Sequence, residues 1–148
     1  MEVVINRRQV ERLPEFIAAD FHDHSGGIRG SDGYRQHAET FLHCYPDVRV
    51  RILGQVAERD WVVTWFEAVG THRGEWQGVA PTGKRLRLQG VNIDRIRRGR
   101  IVEHWGAANT LEALLELGVV RWVKNSTRRR SRPSKKAPAD AKTRTSKA

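Results

Sequence analysis

With a single cysteine, Cys44, in 148 residues, the chain cannot form an intramolecular disulfide and reads as the occupant of a reducing compartment. Long apolar runs are missing too. No stretch approaches the ~20 apolar residues that a membrane helix needs, and the opening MEVVINRR lacks the apolar centre of a secretory signal. A cytoplasmic protein without membrane contact is expected. Aromatic residues are absent after Trp122, and acidic ones nearly so. Residues 121 to 148 hold 11 Lys and Arg against Asp140 alone, whereas residues 1 to 120 hold 16 basic and 16 acidic side chains. The net charge of +10 therefore belongs to the tail, which excludes reading the whole domain as a nucleic-acid binder. Such a tail cannot bury enough apolar surface to order itself. It is expected to be disordered. Either it is functionally neutral, or it makes weak, salt-sensitive, non-specific nucleic-acid contact without base stacking.

What remains is enough for one domain, residues 1–122, with 123–148 as the basic tail. Val10, Leu13, Phe16 and Ile17 recur at helical spacing and predict a short helix over Gln9 to Ala19, with Pro14 out of place unless a first turn begins there. Phe21-His22-Asp23-His24 reads as an extended piece entering a Gly-rich loop. Ser31 or Asp32 is expected to cap a second helix whose apolar stripe is Tyr34, Ala38, Phe41, Leu42 and Tyr45, stopped by Pro46. Val48, Val50 and Ile52 alternate with Arg49 and Arg51, the period of a strand. Trp61 to Val69 is apolar enough for a strand covered on both faces. Leu86 to Ile96 is another, turning at Arg98-Gly99 into Ile101 to Trp105. Short connections imply an antiparallel meander. Asn109 with Glu112 resembles a capping box, and Gly118 stands where a helix-ending glycine belongs. The sum is an α+β domain.

Several chemistries have no support. There is no Ser/His/Asp order and no nucleotide-binding glycine pattern, and Gly26-Gly27 with Gly30 lacks the strand-then-helix context of a phosphate loop. His22 and His24 share one strand face and could ligate a metal with a third residue such as His104, but no defined spacing supplies that third ligand, so no metal site is assigned.

The strand-rich half carries Gly70-Thr71-His72, Gly74, Gly78, Pro81-Thr82-Gly83-Lys84, Ile93-Asp94-Arg95-Ile96, Gly99-Arg100-Ile101-Val102-Glu103-His104-Trp105 and Leu117-Gly118 in one order. This resembles the SnoaL-like polyketide cyclase and ester cyclase family of the nuclear transport factor 2-like superfamily, small bacterial proteins, over residues 3 to about 120. The resemblance implies a cone-shaped curved antiparallel sheet closed by helices around a small-molecule pocket, and a homodimer formed through the open face of the sheet. It also implies that this chain begins inside a first helix that is longer in relatives. The chemistry implied is an aldol-type ring closure without metal or organic cofactor, in which one Asp, two residues after the His of the Glu-His-Trp strand, moves the proton. The matching position here is Gly106, and a glycine moves no proton.

Strand alternation places Val102, His104 and Gly106 on one face. If Gly106 marks the pocket, His104 is the nearest group able to move a proton at neutral pH. His24, matching a pocket-edge Asp-His pair of relatives, is the second catalytic candidate. Asn92, Trp65, Tyr34, Phe41 and Gly106 are the candidate ligand-pocket residues, Asn92 as a hydrogen-bond donor and Trp65 as an aromatic wall. Two functions stay open: cofactor-free enolisation or aldol-type chemistry on a small apolar carbonyl compound, and a non-catalytic small-molecule-binding module.

Overall fold

The computed structural model describes residues 1–123, so the expectation about the basic tail lies outside the described residues from 124 onward. After one wide helical turn at Glu2–Asn6 and a tight 3₁₀ turn at Val10–Glu15 come β1 (Ile17–Asp23), α1 (Gly30–Cys44), β2 (Arg49–Glu58), β3 (Trp61–Thr71), β4 (Arg85–Arg97), β5 (Arg100–Ala108) and α2 (Thr110–Leu117). β2 to β5 form an antiparallel meander, and β1 joins its end parallel to β5, giving the order β1-β5-β4-β3-β2. The sheet is therefore mixed. Its single parallel pair arises because α1 and the three strands β2 to β4 separate β1 from β5, room enough for a crossover.

The helix expected over Gln9 to Ala19 is replaced by the 3₁₀ turn and the start of β1. Pro14 has no N–H to continue an α-helical ladder, and Ile17 pairs with Ile101 instead. The apolar periodicity was still meaningful: Leu13 and Ile17 are buried beside Val4, Phe21 and Ala38 in one core cluster. α1 begins at Gly30 with no side-chain cap, so neither Ser31 nor Asp32 caps it. Asp32 still lies in the first turn, where the helix dipole favours a carboxylate. Asn109 does not form a capping box either. Its Oδ1 accepts from the Gln89 N–H at 2.8 Å and its N–H donates to the Gln89 carbonyl at 3.0 Å, so it ties α2 to β4. Gly118 does end α2 in the left-handed conformation, with φ of 81°.

Arg98 and Gly99, at φ of 50° and 75°, make the two-residue β4–β5 turn. A second core cluster, around Cys44, Tyr45, Val48, Ala68 and Leu86, fills the other end of the concave face beneath α2. β3 is not covered on both faces. Thr64, Ala68 and Gly70 are buried on the concave side, while Trp65 is 41% exposed on the convex side. The Trp65 ring lies over Gly54, where a Cβ would overlap it, which holds the indole outside. No helix among the described residues is long and apolar enough to cross a membrane.

Candidate active site

The concave face holds two cavities. The first, about 360 Å³, lies against the ends of β4 and β5 and falls within the range of small-molecule sites. Val4, Leu13, Ile17, Phe21, Ile52 and Ile101 give it apolar walls. Its polar groups come mostly from three adjacent strands in register: Thr64 opposite Asn92 on β3 and β4, and Asp94 opposite His104 on β4 and β5. Tyr34 reaches in from α1.

The central contact is between His104 and Asp94. His104 Nδ1 lies 2.7 Å from Asp94 Oδ1, and both side chains are only 13% exposed. In the neutral imidazole a carboxylate at that distance accepts the Nδ1 hydrogen, and the lone pair is then on Nε2. Nε2 borders the space over Gly106: a Cβ there would stand 3.0 Å from His104 Nε2 and 3.5 Å from Asn92 Oδ1. The Gly106 N–H donates to Ser25 Oγ at 2.7 Å, and the His24 N–H donates to the His104 carbonyl at 2.8 Å, so the β1 loop fixes this stretch of β5. Burial pushes the Tyr34 phenol up to about 12, with the Asp94 and Asp23 carboxylates adding to the shift. It therefore stays protonated, a hydrogen-bond donor at neutral pH.

The sequence candidates divide. His104, Asn92 and Tyr34 line this cavity and Gly106 borders it. His24 does not reach it. It lies on the convex side, stacked on Trp105 at 4.1 Å and 3.1 Å from Glu103 Oε2. His24 and His104 thus face opposite sides of the sheet and cannot share a ligand with His22, and no metal-holding group of three or more His, Cys, Asp or Glu occurs among the described residues. Asp23, the partner of the Asp-His pair, spends its carboxylate on the turn, accepting from the Ser25 and Gly26 N–H groups at 2.8 and 3.1 Å. Trp65 is on the convex face, away from the cavity, because strand alternation opposes it to Thr64.

Phe41 lines the second cavity, about 450 Å³, which lies under α2 with Tyr45, His72, Trp76 and Leu117. There His72 is fully buried, stacked on Tyr45 at 5.4 Å, with Nδ1 3.2 Å from Thr82 Oγ1. The Thr-His and Pro-Thr-Gly segments of the motif thus hold each other across the base of the β3–β4 loop.

Asp94 is the residue that reasoning from sequence missed. Its signal was available: it follows Asn92 by two residues, on the same strand face, in the strand that pairs with His104.

The chain belongs to the SnoaL-like polyketide cyclase family, whose model matches residues 1–117. Among solved structures it is similar to IdmH of Streptomyces antibioticus, described as a candidate polyketide cyclase, at 32% identity and a TM-score of 0.68, covering 78% of this chain and 91% of that one. AclR of Streptomyces galilaeus, described as a candidate hydroxylase, is 28% identical with a TM-score of 0.71, covering 80% and 90%. A candidate polyketide cyclase of Acidithiobacillus ferrooxidans shares the fold at 23% identity and a TM-score of 0.69, covering 81% and 89%. No curated protein matches the chain.

Proposed function

We propose that this protein is a cofactor-independent acid–base enzyme that enolises, or closes by an aldol-type step, a small and largely apolar carbonyl compound. One observation carries the reading: the 2.7 Å Asp94–His104 pair on the wall of an apolar cavity, with Nε2 3.0 Å from where a side chain at position 106 would begin. The carboxylate missing from position 106 is supplied one strand away, through His104.

In this scheme Nε2 takes a proton from the carbon next to the substrate carbonyl, and the C–H electron pair becomes the enolate. The Tyr34 hydroxyl and the Asn92 amide hydrogens are the donors available to the enolate oxygen. In the aldol case the enolate carbon attacks a second carbonyl of the same molecule, and the alkoxide formed recovers the proton from Nε2. The Asp94 carboxylate, 2.7 Å from Nδ1, offsets the imidazolium charge between the two transfers.

The competing reading is a binding-only module, favoured by Gly106, since the acid that the resemblance implies is not there. Deuterium exchange separates the two. A panel of apolar β-keto esters is screened for binding, and exchange at the carbon between the carbonyls is followed by NMR in D2O. The enzyme reading expects exchange above the buffer rate for a bound compound, and a loss of about 100-fold in His104→Ala with affinity kept within a few-fold. Bound compounds that exchange only at the buffer rate would establish the binding module.

A further inference from the structure

The convex face carries a cleft that the cavity chemistry does not use. It runs along β1 and β5 to the β4–β5 turn, encloses about 700 Å³, and has Ala18 and Ala19 in its lining. Arg29, Arg97, Arg98 and Arg100 all line it. Arg97 and Arg100 face each other across the turn, so they leave the sheet on the same side. The register shift between Arg95 and Ile96 leaves Val102 as an extra residue, so that, against the alternation expected from His104, Val102 lines the cleft with Arg100 while Ile101 lines the concave cavity; the two sites sit back to back through β5.

Three arginines elsewhere on the sheet are matched, whereas Arg49 and Arg85 have no ion pair among the described residues. Arg51 and Arg87 share Glu67, and Arg95 holds Asp60 and Glu103. Among the described residues, none of the four cleft arginines has a carboxylate within ion-pair distance. Two carboxylates do border the cleft, Asp20 and Glu103, but Glu103 is already bonded to Arg95 at 2.9 Å and to His24 at 3.1 Å. The cleft keeps a positive excess. The His22 imidazole on its rim is pushed below its ordinary value, by desolvation first and then by Arg29. The turn itself favours Asn-Gly, yet it places Arg98 at φ of 50°, a conformation that an arginine adopts at some cost.

We infer that this arginine cleft is a binding site for a phosphoryl group, as a phosphate monoester or a diphosphate, separate from the concave cavity. Guanidinium forks match phosphate oxygens in pairs, and four of them without partners around one shallow cleft suit a multiply charged oxyanion better than a lone carboxylate. The short side chains of Ala18 and Ala19 in the lining take up little of the space between the forks.

The test is calorimetric titration of the full chain with inorganic pyrophosphate at constant ionic strength, repeated with a phosphoserine hexapeptide. The expected result is saturable binding that weakens at least tenfold in Arg97→Gln/Arg100→Gln. Both residues are exposed at the turn, so the melting temperature should stay where it is. Arg29→Gln, from a different element, provides an independent variant with the same expected direction. Preference for the peptide by tenfold or more would identify a protein-borne phosphate, and equal or better binding of pyrophosphate a free one. Absence of binding by both probes, or binding that survives all three substitutions undiminished, would overturn the assignment.

Discussion

Replacing Asp94 by Asn tests the proposed proton transfer at its most specific point. The change preserves size and removes one charge 2.7 Å from His104 Nδ1, between side chains that are each 13% exposed. Two unit charges about 4 Å apart interact by ~4 kcal/mol at the effective dielectric of a partly buried site. The imidazolium is only partly developed in the transition state, and an amide oxygen could still accept one hydrogen bond. The loss is therefore about 2–3 kcal/mol, or roughly 30- to 150-fold in the rate of exchange. An amide that instead turns its N–H toward Nδ1 would move the proton to Nε2 and abolish base catalysis at that atom. ¹⁵N shifts of the imidazole show which nitrogen carries the hydrogen, so rate and tautomer can be measured on one sample. Affinity for the bound β-keto ester should change by no more than a few-fold, because Asp94 acts through His104. An Asp94→Asn protein that exchanges at the wild-type rate, with Nδ1 still protonated, would refute the role given to the carboxylate.

Other outcomes follow from the same geometry. Gly106→Asp sets a carboxylate between His104 Nε2 and Asn92, 3.0 and 3.5 Å from the new Cβ; aldol-type turnover of a family-type substrate should appear or rise, with a lower melting temperature from the charge placed there, and unchanged turnover would count against the site. Phe21→Ala removes a ring that is 1% exposed beneath the cavity and should cost about 3–5 kcal/mol, seen as a large fall in Tm by calorimetry. Glu103 has its pKa held below the ordinary value, by the hydrogen bond from Arg95 first and that from His24 second. Its contribution to stability should be complete above the unfolded value of about 4.3 and be lost as pH falls through the lower folded value; Glu103→Gln should flatten that acid slope of Tm. Finally, Leu53, Trp65, Val91 and Ile93 are each 38–41% exposed on the convex face. The homodimer expected from the family resemblance would cover them, so Trp65→Ser should shift sedimentation toward the monomer, and a wild type that is monomeric at high concentration would remove the expectation.

Local signals fared unevenly, and each failure has a physical cause. The Arg98-Gly99 turn, the meander of β2 to β5 and the glycine ending α2 were legible because each rests on chemistry within a few residues. The stretch from Gln9 to Ala19 was not: its helical periodicity correctly marked Leu13 and Ile17 as core, but pairing with β5 turned Ile17 onward into strand. Capping by Asn109 failed for a similar reason, since Asn109 found partners on β4.

For the site, alternation along single strands was enough to put His104, Gly106 and Asn92 on one face, because a strand's period of two is a local property. It could not say how strands are arranged around the cone. That arrangement sends His24 to the convex side beside Trp105, seats Phe41 in the second cavity, and keeps Trp65 outside over Gly54. It also brings Asp94 against His104 across the β4–β5 register, and gathers Arg29 with the arginines of the turn some 70 residues later. The sequence by itself determined which residues could transfer a proton or bind an anion. Only the tertiary structure decided which of them meet, since contacts between distant strands depend on register and curvature that no local pattern encodes.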